Sequence, residues 1–597
     1  MNSFEEILKK YWGYFGFRPL QKEAMECVCR GRDSIVVLPT GGGKSLCFQV
    51  PALALPGLTL VISPLISLMK DQLDALSECG VSAGRLDSSL SAAEKNAVFS
   101  RLRAGELKLL YISPERLLVE GFLDFLKTAN VSSIAIDEAH CVSMWGHDFR
   151  PEYRKLRVLR EVFPKVPIGA YTATATEQVR NDIAAQLNLD HPEILVGEFD
   201  RPNLVYRVRR RTGAIRQIRE ALDRHVGESG IIYCIRRSDV DETARALTEQ
   251  GYRVASYHAG MSDLERKKSQ DAFINEEVEI IVATVAFGMG IDKSNVRYVI
   301  HAAMPKSLEH YQQESGRAGR DGLEAECVLF YSGFDYKIWR NILEESERQN
   351  LEIGLAKLGR MYRYCTSVSC RRRTILGYFG QQSGADSCRA CDICLGEVKG
   401  VADALIVAQK ILSSVARQQE RFGADYTAGV LVGSREDRIV ANHHDRLSTY
   451  GLLKEATRPV VRDWIEQLTE QEYLVRFGEY GVLKITEKGA RVLKGEETPL
   501  LIESRKKKTE PPKPEGRQDS WDGVDRKLFD ILRKLRREIA GESAVPAYIV
   551  FGDVTLRDLA RKRPTTPEEL IRVSGIGLKK LDQYGERILE EIRKYSV

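Results

Sequence analysis

The segment LPTGGGKS, residues 38–45, sets three glycines ahead of a lysine and a serine. Glycines at such a turn let backbone N–H groups approach phosphate oxygens, and a helix that follows adds the positive end of its dipole. In that arrangement Thr40, Gly41, Gly42, Gly43, Lys44 and Ser45 cradle a nucleotide. Lys44 would neutralise the β and γ phosphates and the Ser45 hydroxyl would ligate magnesium. The strict pattern has a glycine where Leu38 stands, so a glycine-rich turn before a helix is the plain alternative. Downstream, the apolar run SIAID (133–137) ends in Asp137, and Glu138 follows at once. Asp137 can hold magnesium through water while Glu138 orients and deprotonates an attacking water. Hydrolysis also needs positive charge against the γ-phosphate, and QQESGRAGRDG (312–322) offers Arg317 and Arg320 as candidates for a finger reaching across a cleft. A basic surface turn is the alternative there.

Two more constellations carry chemistry. CVSMWGHDFRPEY (141–153) follows the acidic pair without a spacer and contains Trp145, Phe149 and Tyr153. Trp145 and Phe149 can stack on unpaired bases, worth about 1–3 kcal/mol per base, with His147 and Arg150 contacting phosphate or relaying to the nucleotide site. The same rings can equally pack in a core. Cys370, Cys388, Cys391 and Cys394 have a spacing that suits tetrahedral zinc. An iron–sulfur cluster is the rival, but Leu395-Gly396-Glu397 stands where ferredoxin-type runs place a fourth cysteine and a proline. The neighbouring Arg371–Arg373 run would lower the thiol pKa values and offer phosphate contacts.

These residues need elements to hold them. Short apolar runs at 34–38, 58–63, 107–113, 133–137 and 168–174 alternate with helical patterns. The alternation resumes after FDRPNL at 230–234, 253–258, 279–284, 296–302 and 326–331. Fully apolar short strands between helices predict parallel sheets covered on both faces, hence two α/β lobes. Beyond them the chain turns helical and Arg-rich up to the cysteines. EYLVRFGEYGVLKIT (472–486) then predicts a hairpin, and SRKKKTEPPKPEGRQDS (504–520) reads as a linker ahead of a last helical domain. A length of 597 residues suggests about four domains. With 43% hydrophobic and 29% charged residues the chain has a globular composition. Its net charge of +5 says nothing by itself about nucleic acid. No apolar run approaches the ~18 residues that cross a bilayer, and MNSFEEILKK lacks the basic start of a secretory signal. Most of the 12 cysteines are scattered singly among apolar residues, as in a reduced cytoplasmic protein.

In order along the chain, WGYFGFRPLQ, LPTGGGKS, VISPLISLMKDQ, IDEAH, TATAT, ATVAFGMGID and QQESGRAGRDG resemble the motifs of the RecQ group of superfamily-two helicases. That group tolerates a non-glycine at the position of Leu38. The resemblance implies an α/β fold of two RecA-like parallel-sheet lobes, a helical zinc-binding module, a winged-helix domain and a small all-α HRDC domain. The corresponding divisions are 1–199, 200–335, 336–397 and 398–500, a linker over 501–522, and 523–597. It implies Tyr14 and Arg18 around an adenine, Gln21 on its edge and Gln313 in the nucleotide cleft. It also implies ATP with magnesium, a structural zinc and DNA sensing by the aromatic loop. The activity implied is 3′-to-5′ movement on single-stranded DNA with unwinding of duplex or branched DNA in recombination, repair and replication. Further implications are a monomer, the single-stranded DNA-binding protein as a partner, no membrane partner, and a cytoplasmic, nucleoid-associated location. At the hairpin tip Tyr480 would be the strand-separating aromatic, with an ordinary turn tyrosine as the alternative. In the last domain Tyr548 and the G-I-G turn leading to Lys579 would meet DNA, or the turn serves helix packing. The lobe motifs alone leave an RNA helicase or a duplex translocase open. A zinc-containing winged-helix regulator that uses ATP only structurally is a rival of another class. Lys44, Glu138 and Arg320 argue against it, because mere binding requires neither a base nor a finger.

Overall fold

The computed structural model describes residues 3–596 apart from 13, 15, 40, 147, 289–292, 347–349, 368, 383–386, 399, 479, 480, 504–520, 544 and 545. For 67, 78, 346, 470, 549, 578, 579 and 596 it describes the backbone alone. The chain forms two compact units, one of residues 1–361, 372–384 and 517–597, the other of 362–371 and 385–516.

The first unit holds two parallel sheets. One comprises β1 (Ser34–Val37), β2 (Leu58–Ile62), β3 (Ala83–Leu86), β4 (Leu109–Ile112), β5 (Val131–Ile136), β6 (Ile168–Thr172) and β7 (Glu193–Val196), in the order β3-β4-β2-β5-β6-β1-β7. The other comprises β8 (Leu204–Arg210), β9 (Ser229–Tyr233), β10 (Val254–Tyr257), β11 (Ile280–Ala283), β12 (Val296–His301) and β13 (Ala325–Tyr331), in the order β10-β11-β9-β12-β13-β8. β1, β2, β4, β9, β11, β12 and β13 are buried along their whole length, which is why their sequences are mostly apolar, with Arg297 and His301 in β12 and Glu326 in β13 as the charged or titratable exceptions. In such sheets ligands bind beyond the carboxyl ends of the strands. β6 lies between β5 and β1, so the turn after β1, Thr172 at the end of β6 and Asp137 after β5 share one edge. The C-terminal helices of this unit, led by Arg526–Ser543, enclose their own core around Leu532, Leu559 and Ile592.

In the second unit the helices Ala404–Arg417, Ala424–Val432 and Arg458–Glu470 pack a core around Ile411, Leu431 and Ile465. Against it lies a hairpin of β14 (Leu474–Phe477) and β15 (Val482–Ile485), registered antiparallel with Leu474 opposite Ile485 and Phe477 opposite Val482. Among the described residues no helix is long and apolar enough to cross a membrane.

Candidate functional site

The turn after β1 is held by its glycines and by two residues from upstream. Gly41 and Gly43 have φ of +81° and +78°, a region that L side chains enter at a cost of about 1–2 kcal/mol. Gln21 Nε2 donates to the carbonyls of Gly42 at 3.3 Å and Gly43 at 3.0 Å, and Arg18 donates to the carbonyl of Gly41. The Arg18 backbone N–H donates to Gln21 Oε1 at 2.8 Å. Arg18 and Gln21 thus brace the loop, while Tyr14 is 56% exposed. Thr40 lies outside the described residues. Ser45 immediately precedes the helix Leu46–Ala54 and its hydroxyl makes no capping bond.

Lys44 Nζ lies 3.7 Å from Glu138 Oε1. Glu138 adopts a left-handed backbone with φ of +47°, which turns the chain out of β5. Asp137 is buried. It accepts the Glu138 N–H on Oδ1 at 2.9 Å and Gln72 Nε2 on Oδ2 at 3.4 Å, and its carbonyl accepts the Tyr153 hydroxyl at 3.2 Å. Burial and the adjacent Glu138 charge push the Asp137 carboxyl above its ordinary range. Burial acts the same way on Glu138, but Lys44, His140 and Arg317 outweigh it and hold that carboxyl below its usual value. His140 Nδ1 sits 3.2 Å from Glu138 Oε2 and 2.9 Å from Thr172 Oγ1. Spacing did not single out His140 or Gln72, although both sit in segments that carry motifs.

Arg317 and Arg320 follow the helix Leu308–Ser315 of the second sheet domain. A Cβ built on Gly41 would lie 3.6 Å from Arg320 Cγ, so this arginine adjoins the phosphate loop. Arg317 is buried and donates to the carbonyl of Gly288. Gln313 is half-buried on the helix. Its neighbour Gln312 lines a small recess with Pro39, Ala173, Thr174, Arg201 and Gly316.

The aromatic loop divides into outer and inner residues. Trp145 is 39% exposed, whereas Tyr153 is fully buried under Asp137 and serves the fold instead of the surface. Phe149 is half-buried with the Arg154 guanidinium 5.2 Å from its ring centroid. Arg150 donates to Asp148 Oδ2 at 3.2 Å and to the Pro64 carbonyl at 3.0 Å. His147 lies outside the described residues.

The Sγ atoms of Cys370, Cys388, Cys391 and Cys394 all lie within 4.8 Å of one another. A tetrahedral zinc with bonds of about 2.3 Å needs sulfur separations of about 3.8 Å, so these four fit that ion. Of the three arginines beside them, two are engaged elsewhere in the fold, while Arg373 is exposed. Arg371 is wholly buried, bonding Asp392 Oδ1 at 2.9 Å and the Tyr364 carbonyl at 2.6 Å, and Arg372 pairs with Asp200 at 3.3 Å. Both are committed to protein acceptors, because a buried guanidinium requires partners for its donors.

Tyr480 lies outside the described residues, as do most of the residues assigned to the linker. On the hairpin Phe477 is the prominent aromatic, 63% exposed, with Lys484 Nζ 4.2 Å from its ring centroid. In the last domain Tyr548 is half-buried in the short helix Ala547–Val550. Lys579 opens the helix Leu578–Ser596, and its side chain lies outside the described residues. Lys580 lies over the Phe551 ring at 5.5 Å. Gly575 packs so closely that a Cβ would meet Thr555 Oγ1 at 2.3 Å, which supplies the packing reason for the G-I-G turn.

Family comparisons match residues 18–182 to the DEAD/DEAH box helicase family and 213–322 to the helicase conserved C-terminal domain. They match 334–395 to RecQ zinc-binding, 399–511 to the RQC domain and 525–592 to the HRDC domain. The chain is 41% identical over 594 residues to an ATP-dependent DNA helicase RecQ from Pasteurella multocida, covering 99% of this chain and 94% of that one. It is also 41% identical over 600 residues to the protein of the same name from Bacillus subtilis, covering 100% and 99%. With two parallel-sheet lobes, the four-cysteine cluster and these full-length relatives, the chain belongs to the RecQ family of ATP-dependent DNA helicases.

Proposed function

We infer that this chain hydrolyses ATP to move 3′-to-5′ along single-stranded DNA and to unwind duplex or branched DNA in recombination, repair and replication. The observation that carries the reading is the approach of Arg320, from the second sheet domain, to Gly41 of the phosphate loop. Lys44 and Glu138 stand together at the same strand edge. In this reading Lys44 and the amides of Gly41, Gly42 and Gly43 hold the phosphates of ATP, with Tyr14 against the base. Arg18 and Gln21 keep the loop in shape. Glu138 takes the proton of the attacking water, with His140 orienting it. Arg317 and Arg320 offset charge on the γ-phosphate. Ser45 and Asp137 would hold magnesium, which supplies charge neutralisation on the phosphates. The four cysteines would hold zinc, which supplies folding energy to the helical module. Trp145 and Phe149 stack on bases, and the domain divisions follow the boundaries given above. The protein works as a monomer in the cytoplasm on the nucleoid and takes the single-stranded DNA-binding protein as a partner.

Strand displacement with ATP on 3′-tailed and 5′-tailed duplexes tests the reading. Displacement of the 3′-tailed and forked substrates is expected, with ATP turnover rising on single-stranded DNA. ATP turnover that ignores DNA would sink the helicase reading, and displacement confined to 5′ tails would reverse the polarity.

A further inference from the structure

Lys357 lies on the helix Leu351–Thr366, in none of the motifs above. An ammonium carries three N–H donors, and this one has three acceptors. Its Nζ donates to the Trp145 carbonyl at 2.6 Å and the Gly146 carbonyl at 2.8 Å, and it pairs with Glu309 Oε1 at 3.2 Å. The side chain is 14% exposed, so a nearly buried cation is matched donor for donor. Glu309 is itself buried, and the Tyr378 hydroxyl donates to the same Oε1 at 2.7 Å. Burial works against its ionisation, but Lys357, Tyr378 and Ser307 outweigh that and keep the carboxyl below its ordinary range.

The two ends of this contact lead to the two halves of the nucleotide site. Gly146 is pressed against His140, since a Cβ there would meet the His140 carbonyl oxygen at 2.1 Å. His140 in turn stands 3.2 Å from Glu138. Glu309 occupies the first turn of the helix Leu308–Ser315, whose 8 residues span about 12 Å. Arg317 and Arg320 come directly after its far end. Lys357 therefore grips the aromatic loop by its main chain and the arginine-bearing helix by its first turn.

We propose that Lys357 is a positioning residue that couples displacement of the Trp145 loop by DNA to the placement of Arg317 and Arg320. This rests on the reading of the aromatic loop as the element that senses DNA. Both loop carbonyls and Glu309 bind one ammonium, so a shift of the loop either drags the helix with it or strips a nearly buried ammonium of two of its three acceptors. The contact is to main chain and so does not depend on the side chains at 145 and 146.

The test is ATP turnover by the full chain with and without saturating oligo-dT, together with its affinity for that oligonucleotide. Lys357→Met keeps the apolar stem and removes the donors. It is expected to leave DNA-free turnover and DNA affinity within about twofold of wild type and to cut DNA stimulation about tenfold, which is about 1.4 kcal/mol. Combined with Trp145→Ala, it should lose no more stimulation than Trp145→Ala alone, because both act along one route. Unchanged stimulation, equal falls in basal and stimulated turnover, or additive losses in the double variant each overturn the proposal. If Lys357→Met does not fold, Glu309→Gln carries the same three readouts with nearly unchanged shape. Trp145→Ala with normal stimulation removes the sensing reading itself. Trp145→Ala with lost stimulation beside a normal Lys357→Met removes only the coupling residue.

Discussion

At Gly43 two constraints coincide. Its φ of +78° disfavours any side chain, and a Cβ would fall 2.3 Å from Gln21 Nε2, the atom that braces the loop carbonyls. Gly43→Ala must therefore twist the loop and also expel Gln21. The expected result is an increase in KM for ATP on the order of tenfold, from a loss of about 1–2 kcal/mol. Gly541→Ala is the matched control. Nothing lies within 4 Å of its Cβ position, and in the helix Arg526–Ser543 it should be neutral or slightly stabilising. ATP titrations of both variants, with melting curves for stability, decide it; a normal KM for Gly43→Ala would mean that the loop tolerates relaxation. Residue chemistry at this scale was legible in the sequence, because a phosphate loop or an acidic pair concentrates its groups within a few positions. His140 was harder to find, since its role shows only when Thr172, 32 positions away at the end of β6, is brought beside the turn that carries Glu138.

Among the elements, the hairpin presents an aromatic that the sequence reading passed over in favour of Tyr480. Phe477 ends β14 opposite Val482 and stays 63% exposed, so it contributes little to the core. Phe477→Ala should change stability by no more than about 0.5 kcal/mol and leave DNA-stimulated ATP turnover intact. Unwinding of a forked duplex should slow several-fold if the hairpin face meets the junction; equal unwinding rates remove Phe477 from that role. Strand identification followed burial. All ten apolar runs picked out in the two lobes lie on strands, whereas β3, β7 and β8 were missed. β3 reads AGRL, with a glycine and an arginine. β7 is an edge strand whose Glu193 and Ile194 are exposed. β8 reads LVYRVRR, and its Arg207 is accommodated only because Glu326 of β13 accepts it at the neighbouring strand. A charge inside a strand is readable only when its partner is known, and here the partner is 119 positions away.

Across the whole first unit the same lesson holds for the C-terminal domain, whose contact with the second sheet domain centres on one carboxylate. Glu276 takes Arg536 Nη2 at 2.9 Å and Arg537 Nε at 2.9 Å, with Arg533 at 3.7 Å, all three from the helix Arg526–Ser543. From its own domain Lys293 stands 3.6 Å away and Asn295 donates at 2.7 Å, while Asp553 shares Arg536 at 2.8 Å. No local pattern marks Glu276, because its arginine partners Arg536 and Arg537 lie 260 and 261 positions downstream. Burial opposes its ionisation, but Arg536, Lys293 and Arg533 outweigh it and hold the carboxyl far below the usual range. Burial in turn pushes Lys293 down to about 8. A group whose folded pKa lies below its unfolded value of about 4.3 stabilises the fold above that pH and loses its contribution as the pH falls towards the folded value. Glu276→Gln should therefore cost on the order of 3 kcal/mol at neutral pH, since it leaves buried cations without their anion. The gap in Tm between wild type and Glu276→Gln should then narrow as the pH drops below about 4.3. Melting curves at a series of pH values measure that gap; a gap that stays constant down to acid pH would show that shape at this contact, and not charge, holds the last domain against the second lobe.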